Sequence, residues 1–165
     1  MSLLRKLMGN NKELKIDMNI YSPIKGVVTS LSNVNDPVFS EELMGKGIAI
    51  IPESDRVVAP CNGEIISVFK TLHALTIRGE NGAEVIIHVG LETVALNGQY
   101  FEAHVHDGQQ IKKGDLLLTF DLDAIKTDYD IVTPVIITNS SGYQTIEQTK
   151  NQKVKEGDLL IKLIK

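Results

Sequence analysis

The chain has almost no cysteine and no tryptophan. Cys61 is the only cysteine among 165 residues, so no disulfide can form within the chain. This usage is typical of a reducing compartment, and we expect a cytoplasmic protein. Cys61 follows Pro60 at the start of an apolar stretch, where we expect a small buried thiol rather than a nucleophile.

The chain also lacks a long apolar run and an excess of positive charge. No stretch is long and apolar enough to span a bilayer. Residues 1–8 hold an apolar patch and two cations, but no signal-peptide core or cleavage site. They predict either a flexible tail over residues 1–17 or a short amphipathic helix in weak contact with an anionic membrane. With a net charge of -4 and no basic stripe, we expect no nucleic-acid partner.

Glycine and branched aliphatic residues are abundant. Thirteen glycines and a hydrophobic content of 42% favour strands joined by tight turns. Short strand-like segments run from residue 18 to the end without a linker, which predicts a single domain over residues 18–165. We expect helices only in short pieces, at residues 40–44 and 122–126.

Two pairs of segments look like copies of each other. The motifs have the form of a strand entering or leaving a glycine turn, and such repetition predicts a duplicated antiparallel β-sandwich or barrel. The first pair is SPIKGVV (22–28) and APCNGEII (59–66), and the second is QIKKGDLL (110–117) and KVKEGDLL (153–160).

Two histidines lie on the two strands of one predicted hairpin. His73 precedes and His88 follows the glycine-bounded loop 79–82. Because side chains alternate between faces, an even loop puts both imidazoles on one face and an odd loop separates them. A site built from both histidines therefore requires an even loop. The pair could act as nucleophile and helper, or as two metal ligands.

The remaining histidines, His104 and His106, are separated by one residue. Alternate strand positions could face a metal ion together. The segment ends in Asp107-Gly108, which is a turn signal, so we interpret it as a solvated strand end.

Residues 87–101 (IHVGLETVALNGQYF) resemble the active-site signature of the glucose-type enzyme IIA of the bacterial phosphoenolpyruvate-dependent sugar phosphotransferase system. Further segments resemble the same family in order along nearly the whole chain. They are NDPVF (35–39), GKGIA (45–49), VAPCNG (58–63), FKTLHA (69–74) and TPVIITN (133–139).

The resemblance implies an all-β sandwich and a phosphotransferase role that needs no cofactor or metal. His88 is then the phosphoryl acceptor. It would be phosphorylated at Nε2 by phospho-HPr and would pass the phosphoryl group to the IIB domain of a glucose-family sugar permease. His73 would stabilise the phosphoryl oxygens, Thr71 would supply a hydroxyl, and the Gly90 carbonyl would keep the proton on Nδ1 of His88.

The resemblance also implies a contact surface for partner proteins. Asp36 matches a rim acid of the family, whereas Glu92 stands where aspartate is commoner. Two carboxylates near the histidines favour the imidazolium form. Apolar residues around the pair are expected to form an exposed docking face. These are Val38, Phe39, Phe69 and Val94.

Two other functions compete with this interpretation. A zinc hydrolase on a related duplicated β fold could draw ligands from the four histidines, but no His-x-x-x-Asp pair completes a peptidase site. A lipoyl-type carrier would need a lysine at a hairpin tip, and neither Lys112-Lys113 nor Lys155 has that context. We therefore favour the phosphocarrier.

Overall fold

A computed structural model describes residues 15–165, which form mostly antiparallel β-strands. Residues 1–14, which include the predicted membrane-contact segment and most of the predicted tail, lie outside the described residues. The strands are β1 (Asn19–Tyr21), β2 (Gly26–Thr29), β3 (Lys46–Pro52), β4 (Arg56–Val58), β5 (Gly63–Val68), β6 (Ala74–Gly79), β7 (Glu84–His88), β8 (Phe101–Ala103), β9 (Gln110–Ile111), β10 (Leu116–Phe120), β11 (Thr133–Ile137), β12 (Thr145–Gln148), β13 (Lys153–Val154) and β14 (Leu159–Ile164).

Three sheets are built from these strands, and every paired strand runs antiparallel to its neighbour. The largest has the order β13-β2-β3-β11-β7-β6-β5-β9, and the two smaller sheets have the orders β1-β14-β12 and β4-β10-β8. The predicted all-β architecture is confirmed.

Helical structure is short. α1 (Pro37–Ser40) and α2 (Leu122–Lys126) are single turns, and 3-10 turns occupy Leu31–Asn33, Thr93–Leu96 and Ser140–Gly142. The prediction for residues 122–126 is confirmed. The one for residues 40–44 was wrong.

The earlier start of α1 has a local cause. The Asp36 carboxylate accepts a hydrogen bond from the Val38 N–H at 3.0 Å, and Pro37 at the first helical position has a preset φ. The turn is over by Glu42, whose φ is +56°. Within residues 15–165, every helix is too short or too polar to cross a bilayer.

Matching hydrogen bonds bear out the predicted duplication. The N–H of Ser22 donates to the carbonyl of Asp158 at 2.7 Å, and the N–H of Ala59 donates to the carbonyl of Asp115 at 2.8 Å. Each aspartate also accepts, through its carboxylate, a 2.8 Å hydrogen bond from the backbone N–H three residues earlier. The repeated sequence motifs therefore form two equivalent turn-and-strand units.

Apolar side chains cover both faces of the eight-stranded sheet. Along β7, Val85 and Ile87 belong to the large core cluster, whereas Ile86 belongs to a smaller one. Because side chains alternate along a strand, His88 falls on the face of Ile86. The smaller cluster, which shares this face, contains Leu31, Val34, Phe39, Ala49, Ile86, Leu91, Val132 and Ile136.

Candidate active site

His88 is the last residue of β7, and its ring is held from one side by the next turn. Its Nδ1 lies 2.7 Å from the carbonyl oxygen of Gly90, which has a φ of +79°. The turn is fixed by a 2.8 Å hydrogen bond from the Leu91 N–H to the Asp130 carbonyl. Because Nδ1 meets an acceptor, a neutral His88 carries its proton there and has a lone pair on Nε2.

His73 lies beside His88 with its ring edge-on. The two ring centroids are 4.7 Å apart and the planes are inclined by 84°. The Thr71 hydroxyl lies 2.8 Å from Nδ1 of His73. Among residues 15–165, no hydrogen bond engages the Nε2 atom of either histidine. One nitrogen of each ring is thus anchored, and the other has no hydrogen-bond partner within these residues.

The register of the hairpin differs from the prediction. β6 and β7 pair Ala74, not His73, with His88, and Leu75 with Ile87. This is the odd register, so the prediction that a two-histidine site requires an even loop was wrong. The rings still meet because His73 precedes the first residue of β6, at a bend where strand alternation no longer applies.

Two phenylalanines surround the imidazoles. The ring centroid of Phe39 lies 5.1 Å from that of His88, and the centroid of Phe69 lies 5.5 Å from that of His73 with the two planes nearly perpendicular. Phe39 is only 3% exposed, so the prediction that it lies on an exposed docking face was wrong. Phe69 is half-buried. Each phenyl ring therefore packs against one of the two imidazoles.

Burial makes both imidazoles hard to protonate. It lowers the pKa of His73 to about 4, with a contribution from the nearby His88, while the backbone of Thr71 acts in the opposite direction. Burial also lowers the pKa of His88, although the Gly90 carbonyl and the Asp36 carboxylate partly oppose it. As expected, the Asp36 carboxylate favours the imidazolium form of His88, but desolvation outweighs this effect and the pKa is lowered overall. Both rings are neutral at pH 7.

Exposed valines and acids occur in the segments that lead up to and away from the site. Val38 and Val94 are 41% and 52% exposed. Asp36 and Glu92 line a depression of about 380 Å³ together with Asp128, Tyr129 and Asp130, next to the Gly90 turn. Glu92 has a φ of +59° and its side chain is exposed, without a capping hydrogen bond to the 3-10 turn that follows.

The other candidates lie apart from this pair. His104 and His106 are exposed and contact Thr119 and the Asp107 carbonyl respectively, as expected for a solvated strand end. Cys61 is buried, and burial raises the pKa of its thiol to about 12, as expected for a structural cysteine. Residues 15–165 contain no group of three or more His, Cys, Asp or Glu side chains that could hold a metal ion.

Three residues that shape the site escaped sequence reasoning. Leu72 has a left-handed backbone next to His73, with a φ of +62°. The Thr93 hydroxyl donates a 2.6 Å hydrogen bond to the Val89 carbonyl, and Asp130 holds the Gly90 turn through its own backbone. A leucine carries no sequence signal for positive φ, and backbone-mediated contacts are largely independent of residue type.

Comparison with known proteins agrees with this geometry. Residues 18–143 match the family model of the phosphoenolpyruvate-dependent sugar phosphotransferase system, EIIA 1. The chain is 41% identical, over 94% of both proteins, to the glucose-specific EIIA component of Bacillus cereus. The solved glucose permease IIA from Mycoplasma capricolum superposes with a TM-score of 0.82, at 37% identity, covering 89% of this chain and 96% of that one.

Larger proteins contain a similar segment. The chain is 48% identical over 145 residues to the beta-glucoside-specific EIIBCA component of Bacillus subtilis, and 54% identical over 135 residues to the glucosamine-specific EIICBA component of the same organism. It spans only 24% and 21% of those relatives. The chain belongs to the EIIA 1 family of the phosphoenolpyruvate-dependent sugar phosphotransferase system.

Proposed function

We propose that this chain is a cytoplasmic phosphocarrier that accepts a phosphoryl group from phospho-HPr on Nε2 of His88 and donates it to the IIB domain of a glucose-family sugar permease. Residues 18–165 would act as one EIIA domain. The observation that carries the proposal is the pair of imidazoles whose ring centroids lie 4.7 Å apart, each anchored at Nδ1.

The first half-reaction needs only a positioned nucleophile. The Nε2 lone pair of His88 attacks phosphorus, the new N–P bond forms, and the bond between phosphorus and the donor breaks with its electron pair leaving on the donor. The proton on Nδ1 stays against the Gly90 carbonyl. No general base is needed, because a neutral imidazole already presents its lone pair.

The second imidazole would stabilise the phosphoryl oxygens. If the Thr71 hydroxyl donates to Nδ1 of His73, the single proton of neutral His73 lies on Nε2. That N–H can then donate to a phosphoryl oxygen on His88, in a partly desolvated site where such a hydrogen bond is stronger than in water. Release to the acceptor reverses the chemistry of loading.

Fused relatives support the choice of acceptor. In the EIIBCA and EIICBA components of Bacillus subtilis, a segment similar to this chain occurs in one polypeptide with the permease parts. We therefore propose IIB domains of glucose, glucosamine or β-glucoside permeases as acceptors. The exposed Val38 and Val94, with Asp36 and Glu92 at the rim, would contact HPr and IIB in turn.

The test is a reconstituted transfer reaction. Labelled phosphoenolpyruvate, enzyme I and HPr are mixed with the chain, and acid-labile label is followed on the protein. We expect His88→Ala to accept no label, while His104→Ala, which removes an exposed imidazole away from the pair, accepts it at the wild-type rate. Undiminished labelling of His88→Ala would rule the proposal out.

A further inference from the structure

The two imidazoles meet although the strand register separates them. The Val89 N–H donates to the His73 carbonyl at 2.8 Å, which continues the β6–β7 ladder one step beyond Ala74 and His88. In a regular strand, the side chain of residue 73 would share the face of Leu75, away from His88. The chain must therefore leave the regular pleat at residue 73.

The break in the strand pleat at residue 73 directly follows a tight turn that ends in a residue with left-handed backbone conformation. The Leu72 N–H donates to the Phe69 carbonyl at 2.8 Å, and the Phe69 N–H donates to the Ala74 carbonyl at 3.0 Å. Leu72 closes the turn with a φ of +62°, a conformation that glycine and asparagine tolerate and that most side chains avoid. A strained leucine next to a functional histidine calls for a physical explanation.

Leu72 also separates the two partners of a side-chain hydrogen bond. Thr71 and His73 flank it, and the Thr71 hydroxyl lies 2.8 Å from Nδ1 of His73. The bend at Leu72 brings this hydroxyl to Nδ1 of His73, while the ring centroid of His73 lies 4.7 Å from that of His88. A relaxed, extended residue at position 72 would straighten the chain and move Thr71 away from the ring.

The side chain of Leu72 has a separate, ordinary role. It is half-buried against the large core cluster, and a Cβ added at Gly98 would lie 3.6 Å from its Cδ1. Backbone conformation and side-chain packing at this position can therefore be tested independently. Asparagine keeps the left-handed conformation and loses the packing, whereas valine keeps an apolar side chain and disfavours the conformation.

We infer that Leu72 is a positioning residue that sets His73 against His88 through its left-handed backbone rather than through its side chain. The consequence for phosphoryl transfer rests on the proposed function, but the effect on ring geometry does not. Leu72 touches neither the reacting atoms nor the phosphoryl group in this mechanism, and it acts only through His73.

The experiment compares Leu72→Asn with Leu72→Val in the full chain. Contacts between the two imidazoles are read by NMR from ring-to-ring NOEs and from ¹⁵N shifts, and onward transfer to a IIB domain is timed after loading. We expect Leu72→Asn to retain the ring contacts and a transfer rate within about twofold of wild type. Leu72→Val should lose the contacts and transfer at least tenfold more slowly.

Displaced rings in Leu72→Asn, or retained rings in Leu72→Val, would overturn the inference. If Leu72→Val does not fold, Leu72→Ala replaces it as a smaller residue that still disfavours positive φ. A wild-type chain that accepts no phosphoryl group would refute the proposed function, whereas the NMR arm would still decide the role of Leu72.

Discussion

The Nδ1 atom of His88 and the carbonyl oxygen of Gly90 lie 2.7 Å apart, across a turn that only glycine fits. A Cβ at Gly90 would lie 2.6 Å from Cγ2 of Thr93 and 3.1 Å from the carbonyl oxygen of Asp130, at a φ of +79°. We predict that Gly90→Ala destabilises the protein by roughly 2–4 kcal/mol, measured by urea unfolding.

The same substitution should disturb His88 itself. With the carbonyl displaced, Nδ1 loses its acceptor, so the proton redistributes toward Nε2 and the pKa of His88 falls further, because the carbonyl stabilises the charged form. ¹⁵N NMR of the imidazole reports both changes. Gly108→Ala is the matched control, since Gly108 has a φ of +83° but no atom within 4 Å of an added Cβ. Gly108→Ala should lower the free energy of unfolding by only about 1 kcal/mol and leave the tautomer and the pKa of His88 unchanged. Equal effects of the two variants would contradict the prediction.

His73 should matter more for giving the phosphoryl group away than for receiving it. In the proposed mechanism, loading depends on the Nε2 lone pair of His88, which His73→Gln leaves in place. Onward transfer needs a donor steady against the phosphoryl oxygens, and a glutamine amide cannot take the position that Thr71 gives the imidazole ring. We predict loading near the wild-type rate and at least tenfold slower transfer to IIB, measured by quench-flow with labelled protein. Equal onward rates for variant and wild type would refute the helper role.

The depressed pKa of His73 predicts a specific pH dependence of stability. The folded value is about 4, below the ordinary 6.5, so the unfolded chain binds more protons between these values. Stability contributed by this group is complete above pH 6.5 and is lost as the pH falls toward 4. His73→Gln should abolish this loss, which is on the order of 1–3 kcal/mol.

The quantity to measure is the difference in unfolding free energy between the variant and wild type at each pH, because titrations common to both cancel. A difference that stays constant from pH 7 to pH 4 would contradict the prediction.

Sequence patterns predicted the elements whose signals are local. The repeats at 110–117 and 153–160 carry the aspartate and glycine that their turns need, and the structure gives them equivalent hydrogen bonds. The helix at 122–126 follows Asp121, whose carboxylate accepts from the Ala124 N–H. In both motifs the aspartate carboxylate accepts from a backbone N–H three residues away, so these hydrogen bonds need no partner distant in sequence.

The predictions that failed depended on features that sequence does not encode locally. The hairpin register follows from the whole ladder that β6 forms with β7, and the loop residues permit both parities. Phe39 is apolar, and nothing in its neighbours distinguishes an exposed docking residue from a side chain packed beneath His88. The effect of Asp36 on the pKa of His88 has the expected direction, but sequence does not reveal the burial that outweighs it. Family resemblance named the two histidines, but their geometry required the fold.

Val94 offers a test of the proposed docking surface, because it is 52% exposed, follows Glu92 by two residues and belongs to neither core cluster. Val94→Asp places a charge in a contact that must be desolvated on binding, and it adds to the negative rim formed by Asp36 and Glu92. We predict that the Kd of the complex with HPr or IIB, measured by calorimetry, rises at least tenfold. The free energy of unfolding should stay within about 0.5 kcal/mol of wild type. Leu159→Asp is the matched control. Leu159 is 45% exposed on β14, which belongs to the sheet β1-β14-β12 and not to the eight-stranded sheet that carries His88. It carries the same new charge, so a comparable loss of affinity in both variants would trace the effect to net charge and refute a docking role for Val94.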